Sequence, residues 1–283
     1  MTRTALSYST LILTKNEAAN IRRCLESLAF CDDIIVLDSF SEDGTEALVK
    51  GTSARFFQRP FDTFAGQRNW AIDNVVFKYR WVLHLDADEC LTPQLHAELS
   101  RLAADDGKSA YMLANRVIFM GRWIRRCTMY PYYQARFLRL GESRFKQVGH
   151  GQHLDHATRG TGIALEPYTH YNFSKGIADW VARHNRYSDD EARRITRDDR
   201  GFLASLPEAI VSRDAGEKQQ ARKRLADHLP LRPLVRFLFL YVWKWGFLDG
   251  RAGFDYCMLM AFYDYLIRLK VIEHRQREMG IGA

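Results

Sequence analysis

The chain has 283 residues, 47% apolar and 27% charged, a balance that excludes a disordered, collagen-like or low-complexity protein. Lys and Arg number 41 against 34 Asp and Glu, a net charge of +7, so an anionic partner is expected: nucleic acid, a phospholipid surface or a nucleotide. The 5 cysteines are odd in number and widely spaced, with no C-x-x-C, which argues against a disulfide framework or structural zinc and fits a reducing cytoplasm.

Met1 to Tyr8 lacks the apolar core of a secretory signal. Ser9 to Thr14 reads as a strand. Asn16 is expected to cap a helix carrying Ile21, Leu25 and Leu28 at helical spacing. Asp33-Ile-Ile-Val-Leu-Asp38 is a second strand, apolar enough to be buried on both faces of a parallel sheet. A turn at Ser41-Glu-Asp-Gly44 precedes a helix from Thr45 to Lys50. A short strand from Ala54 to Gln58 follows, then a helix from Phe64 to about Val75 capped by Thr63. Trp81-Val-Leu-His-Leu85 is the fourth strand. Thr92-Pro93 is an N-cap followed by proline at the first helical position, before a stripe of Leu95, Leu99 and Leu102.

This alternation predicts an α/β fold: a mostly parallel sheet, right-handed crossovers and helices on both faces. Ligands on such sheets bind beyond the carboxyl ends of the strands. Polar residues stand there: Thr14 to Glu17, Asp38 and Ser39, then Asp86, Asp88 and Glu89. From Ala110 to Tyr171 the pattern turns aromatic, basic and short-stranded, with sheet at Tyr111 to Phe119 and Gln134 to Leu140. From Gly176 onward it is helical, apart from a polar stretch at Thr196 to Gln220. The expected division is a catalytic domain at 1–175 and a helical region at 176–283.

Asp86-Ala-Asp88 sets two carboxylates two residues apart at a strand end, on one side if the segment is extended. Like charges that close need a cation, and hard oxygen ligands suit Mg²⁺ or Mn²⁺. The bland alternative is a solvated acidic turn before the Thr92-Pro93 helix.

Leu13-Thr-Lys-Asn-Glu17, Val36-Leu-Asp-Ser39 with Ser41-Glu-Asp-Gly-Thr45, Ala65-Gly-Gln-Arg-Asn69 and Leu85-Asp-Ala-Asp-Glu89 follow the order and spacing of the family 2 glycosyltransferases. The chain resembles that family, which has the nucleotide-sugar-binding GT-A fold. Gly121-Arg-Trp, Tyr130-Pro131, Arg136-Phe-Leu-Arg139, His184-Asn-Arg-Tyr-Ser188 and Gly246-Phe-Leu-Asp-Gly-Arg251 look like its lipopolysaccharide-core β-1,4-glucosyltransferase-like subgroup.

The resemblance implies roles. Thr14 and Glu17 line the nucleoside pocket, and Asp38 accepts a hydrogen bond from the base. Arg68 reaches the pyrophosphate, as guanidinium geometry allows. Asp86 faces ribose or metal, and Asp88 holds Mg²⁺ or Mn²⁺ against the phosphates. Without a ligand, Asp38 caps its own turn and Arg68 is a solvent-facing helix residue. Transfer with inversion needs a base. The subgroup's His-Glu pair is replaced here by Val148-Gly-His-Gly-Gln-His-Leu-Asp155, so Asp155 is the candidate base and His150 its partner. Glu89 and Glu166 are in reserve, and His170 is a contact to donor or acceptor or a structural histidine.

Between Arg213 and Lys244, basic residues flank and interrupt a run containing Phe237, Phe239, Tyr241, Trp243 and Trp245. Such a segment suits an in-plane helix on an anionic leaflet, or packing against the catalytic domain or a second protomer. The Phe254, Cys257, Met258, Ala261, Tyr265 and Leu269 stripe is expected to pack as core or against another helix. The sequence therefore predicts a metal-dependent inverting glycosyltransferase. It would carry sugar from a nucleotide-sugar donor to a lipid-linked or lipopolysaccharide acceptor, peripheral at the inner face of a bacterial inner membrane. The oligomeric state is left open. A nucleic-acid partner is not expected, since no helix-turn-helix, zinc or ribonucleoprotein motif occurs. Rival readings are a catalytically silent scaffold of the same fold and a sugar-phosphate nucleotidyltransferase, which would carry a glycine-rich loop where Leu13-Thr-Lys-Asn-Glu17 has none.

Overall fold

The computed structural model describes residues 8–105, 107–148, 151–197 and 231–280. They form two compact units. One holds the residues up to Trp123 and Tyr130 to Ser174; the other holds Ile124 to Met129 and those from Lys175 onward.

In the first unit, β1 (Tyr8–Thr14) lies between β2 (Ile34–Asp38) and β4 (Trp81–Asp86), with β3 (Arg55–Gln58) outside β2, all parallel. Alternate residues bury on opposite faces, as a two-sided sheet requires. Tyr8, Ile12, Val36, Leu83 and Leu85 pack on one side with Ile21 and Cys24 of α1 (Ile21–Glu26) and Val49 of α2 (Thr45–Lys50). Leu11, Leu13, Ile35, Leu37 and Val82 pack on the other with Ala71 of α3 (Phe64–Asn74) and Val75 just beyond it. α4 (Pro93–Ala104) adds Leu95 and Leu99 to the first side.

Beyond β4 the sheet continues with β8 (Tyr133–Arg139), antiparallel to both β4 and β6 (Ala110–Phe119). The short strands β5 (Glu89–Cys90), β7 (Arg122–Trp123), β11 (Thr161–Ile163) and β12 (Tyr168–His170) complete it, β7, β11 and β12 on β6 and β5 on β12. β9 (Ser143–Val148) and β10 (Gly151–Ala157) form a separate antiparallel pair. The mostly parallel sheet with helices on both faces is the α/β architecture that the GT-A reading anticipates.

The caps at Thr63 and Thr92 form as expected, accepting from Gly66 N at 2.9 Å and Leu95 N at 3.1 Å. Asn16 does not cap α1, which starts after Asn20. Asn16 instead takes a left-handed φ of 54° and its Oδ1 accepts from Glu42 N at 2.8 Å, tying the β1 loop to the β2 loop.

In the second unit, α5 (Gly176–Arg197) packs Ala192 and Ile195 against Ile267 and Val271 of the long C-terminal helix α7 (Gly250–Glu278). α6 (Arg232–Leu238) runs into a π-helical turn at Phe239–Trp243 and a 3₁₀ turn at Gly246–Asp249 before α7. This elbow is tightly made. A Cβ on Gly253 would stand 2.3 Å from the Gly246 carbonyl oxygen. Gly253→Ala therefore forces the elbow open, and we expect a loss of about 1–3 kcal/mol, read in the midpoint of thermal unfolding. The polar stretch at Thr196 to Gln220 and the basic residues from Arg213 to Arg224 fall almost wholly outside the described residues.

Candidate active site

β1 pairs with β2 on one side and β4 on the other, so the strand order reverses between β1 and β4. That is the switch point at which open α/β sheets leave a crevice beyond their carboxyl ends. Register puts Thr14 beside Asp38 and Leu13 beside Asp86, so these strand ends share one rim. Parity separates them across it: Thr14 and Asp38 point to the α1 and α2 side, Asp86 to the α3 side.

On the first side Thr14 Oγ1 donates to Asp38 Oδ1 at 2.8 Å. Asp38 is fully buried and also caps its own turn, accepting from Ser41 N at 2.8 Å and from the Ser41 hydroxyl. Gln58 Nε2 approaches its Oδ2 at 3.3 Å. Further bonds knit the two loops together: Glu17 N donates to Thr45 Oγ1, Ala18 N to Asp43, and Lys15 Nζ to the Phe40 carbonyl. Glu17 Oε2 accepts from Asn20 Nδ2 at 2.7 Å. Asn16 and Phe40 both hold positive φ, 54° and 59°. Non-glycine residues keep that strained backbone only where surroundings over-determine it, which is common at ligand sites.

On the α3 side, helix spacing lines up Arg68, Ala71 and Val75, and this stripe meets Val82, His84 and Asp86 of β4. Arg68 is accordingly buried, not solvent-facing. Its Nη2 donates to Asp86 Oδ1 at 2.6 Å and its Nε to Gln152 Oε1 of β10 at 2.8 Å. Arg136 of β8 donates through Nη2 to Asp86 Oδ2 at 3.0 Å and to Glu89 Oε1 at 2.6 Å. The repulsion expected among these acids is thus answered by two guanidinium groups. Burial raises the Asp86 carboxyl, but Arg136 and Arg68 outweigh it and hold the acid below the usual range. Burial, reinforced by Asp86 and opposed by Arg136, pushes Glu89 up to about 7. His84, buried on the same face, is kept neutral by desolvation and by the nearby Arg68 and Arg136.

The segment carrying Asp86 and Asp88 is not extended throughout. The strand ends at Asp86, whose backbone N–H donates to Glu89 Oε2 at 2.8 Å, and Asp88 lies in the turn that follows. Asp88 Oδ2 lies 3.3 Å from His170 Nε2. Desolvation lowers the His170 pKa, but Asp88, with Glu89 and Asp86 behind it, wins and raises it to about 9.

Among the described residues no three His, Cys, Asp or Glu side chains form a closed metal cage. Asp88 and, once deprotonated, His170 are the side chains that could serve as ligands to a divalent ion whose remaining ligands are phosphate and water. Asp86, with each oxygen on a guanidinium, fits that role less well.

Asp155 is exposed on β10, 3.9 Å from Lys146 Nζ and 3.4 Å from His156 Nδ1. Gln152 reaches Arg68 from the same strand, and Leu154 packs inward beside Ala65. No hydrogen bond links Asp155 to the Asp86 network among the described residues, and His150 lies outside them. The backbone N–H of Glu166 donates to Glu98 Oε2 at 2.8 Å. Arg136 entered the sequence reading only within the Arg136-Phe-Leu-Arg139 resemblance and His84 only as a strand residue, neither with a role. For His84 a signal was present, a polar residue between the apolar residues of β4.

A strand-end charge network at a switch point defines a ligand-binding α/β protein. Residues 9–157 match the family described as Glycosyl transferase family 2, and the chain belongs to that family and is a glycosyltransferase. It is similar to the lipopolysaccharide core biosynthesis glycosyltransferase LpsC of Rhizobium meliloti (strain 1021), 26% identical over 281 residues, 95% of this chain and 93% of that protein. An uncharacterized glycosyltransferase of Rickettsia felis (strain ATCC VR-1525 / URRWXCal2) is 26% identical over 97% of this chain and 93% of its own length. The crystal structure of S. aureus TarS 1-349 in complex with UDP-GlcNAc aligns at 13% identity and a TM-score of 0.43, covering 95% of this chain and 92% of that one.

Proposed function

We propose that this glycosyltransferase moves sugar from a nucleotide-sugar donor to a lipid-linked or lipopolysaccharide-type acceptor, with inversion, assisted by Mg²⁺ or Mn²⁺. Its place of work is the inner face of a bacterial inner membrane, and 1–175 and 176–283 are its catalytic and acceptor-side or membrane-side regions. The observation that carries the donor side is the shared rim of β1, β2 and β4 at the switch point, with strained, interlocked loops on one side and the Arg68–Asp86–Arg136–Glu89 network on the other. The near full-length likeness to LpsC supports the acceptor class.

In this reading the nucleoside lies against Thr14 and Glu17, and Asp38 accepts from the base while its second oxygen keeps the turn in place. Asp86 faces the ribose. Arg68 was expected at the pyrophosphate; buried beneath Asp86, it acts with Arg136 to fix that carboxylate before the donor arrives. Asp88 and His170 would hold the divalent ion. When bound, the ion supplies Lewis-acid neutralisation of the departing diphosphate. The acceptor proton goes to a carboxylate, and Asp155 is the exposed one on the strand whose Gln152 touches Arg68. Asp155→Asn tests this role: a fall of at least about 10²-fold in kcat with unchanged donor binding supports it, and a retained kcat removes it.

The donor side is tested by thermal unfolding with a panel of nucleotide sugars, each with and without Mn²⁺. At about 100 times its Kd the true donor adds roughly 2.7 kcal/mol to stability. A single nucleotide class should raise the midpoint, more so with Mn²⁺. A panel without any shift would refute the donor reading.

A further inference from the structure

The stripe Phe254, Met258, Phe262, Tyr265, Leu269 and Ile272 recurs along α7 at helical spacing, and every member is exposed. Phe254, Cys257, Met258, Ala261, Tyr265 and Leu269 were expected in a core or a helix–helix contact; Cys257 is buried and Phe254 packs edge-on against Phe237 and Tyr241, while Met258, Tyr265 and Leu269 stay exposed. The buried side of α7 is Cys257 with Asp264, Ile267 and Val271. By the rise of an α-helix the exposed stripe runs about 27 Å. In the same unit, the elbow before α7 exposes Val242, Trp243, Trp245 and Leu248, Trp243 at 75%.

The elbow is built to hold these side chains outward. Trp245 sits at a left-handed φ of 60°, a cost that an L-residue accepts only when the neighbouring structure imposes it. Here the Asp249 carboxylate accepts from the backbone N–H groups of Arg125, Arg126 and Cys127 at 3.2, 2.8 and 3.3 Å. The Gly246–Gly253 approach clamps the other side. Large exposed apolar faces on a rigid frame mark an interaction surface.

Charge decides the occupant. Arg236, Arg251 and Arg268 are exposed, Arg251 at 95%. Of the acids between Arg232 and Ile272, Asp249 and Asp264 are buried in pairing and Asp255 stands 4.0 Å from Arg251, so Arg236 and Arg268 leave a cationic surplus. Across a two-fold interface a second copy would bring the same surplus against these cations. Against an anionic lipid surface each contributes favourably, and Trp, Tyr and Phe beside them suit the headgroup boundary. Among the described residues no helix is long and apolar enough to cross a membrane.

We infer that the elbow and the exposed stripe of α7 together form an in-plane docking face for an anionic bilayer. This deepens the membrane side of the reading above and rests on it only for the acceptor's location.

The test is flotation of the full chain with phosphatidylcholine vesicles, with and without phosphatidylglycerol, beside size-exclusion light scattering. The full chain should float with phosphatidylglycerol vesicles and remain monomeric at the same concentration. Arg251→Gln and Arg268→Gln should each weaken binding about fivefold. Trp243→Gln with Phe262→Gln and Leu269→Gln should abolish it while leaving the unfolding midpoint unchanged. No flotation of the wild type would overturn the inference, as would a dimer that the apolar variant dissolves. Donor hydrolysis by the same samples reads the transferase separately, so loss of one does not imply loss of the other.

Discussion

Arg136→Met is expected to be among the most destabilising single substitutions in this protein. Arg136 is 4% exposed and its Nη2 serves Asp86 and Glu89 together. Removing it strands Glu89 in a fully buried position and halves the support of Asp86. Breaking a buried pair by deleting one partner costs about 3–5 kcal/mol, because the other charge stays behind uncompensated. The change should appear as a lower denaturant midpoint with an unaltered slope. Arg136→Lys keeps the charge but loses the planar fork, so it should recover only part of the loss. A deficit below about 1 kcal/mol for the Met variant would mean that water reaches these carboxylates and that the network is not what shapes the rim.

The second large effect is on turnover. Asp88 lies in the turn after β4, with His170 Nε2 3.3 Å from its Oδ2. Asp88→Ala should leave the fold within about 1 kcal/mol of the wild type yet lower kcat by about 10²–10³-fold, the size of effect seen when one stabiliser of developing charge is lost. Thorough chelation of the wild type should reproduce that loss, and Mn²⁺ should restore the wild type but not the variant. Full activity in Asp88→Ala would remove the metal from the reaction. Pairing these variants separates two roles that the Asp-x-Asp spacing merges: in the proposed function Arg136 acts through Asp86 on stability and Asp88 on chemistry.

The alternating half of the chain was legible because its signals are local. Two-sided apolar strands, threonine caps and strand-end acids each follow from spacing, and β1, β2 and β4 form within a residue or so of their expected bounds. Side-chain parity was applied to Asp86 and Asp88 alone, on the premise of an extended segment, and the main departures lie in where side chains point. Arg68 shares a stripe with Ala71 and Val75, so it points under the sheet rather than toward solvent. The segment leaves the extended form after Asp86, where Glu89 turns back to accept from the strand's last N–H, a contact that no periodicity reveals. The α7 stripe was assigned to the core because apolar spacing shows which residues share a face without showing what that face meets. Arg136 pairs with residues about 50 positions earlier, and long-range ion pairs leave no trace in a window of sequence.

Anomalous diffraction at a manganese-sensitive wavelength, from crystals soaked with Mn²⁺ and the nucleoside diphosphate chosen by thermal shift, tests the central claim most directly. One strong peak bound to Asp88 is expected, with the diphosphate beyond the ends of β1 and β4 and the base against Asp38. A nucleotide lodged elsewhere, or manganese with no contact to Asp88, would contradict it.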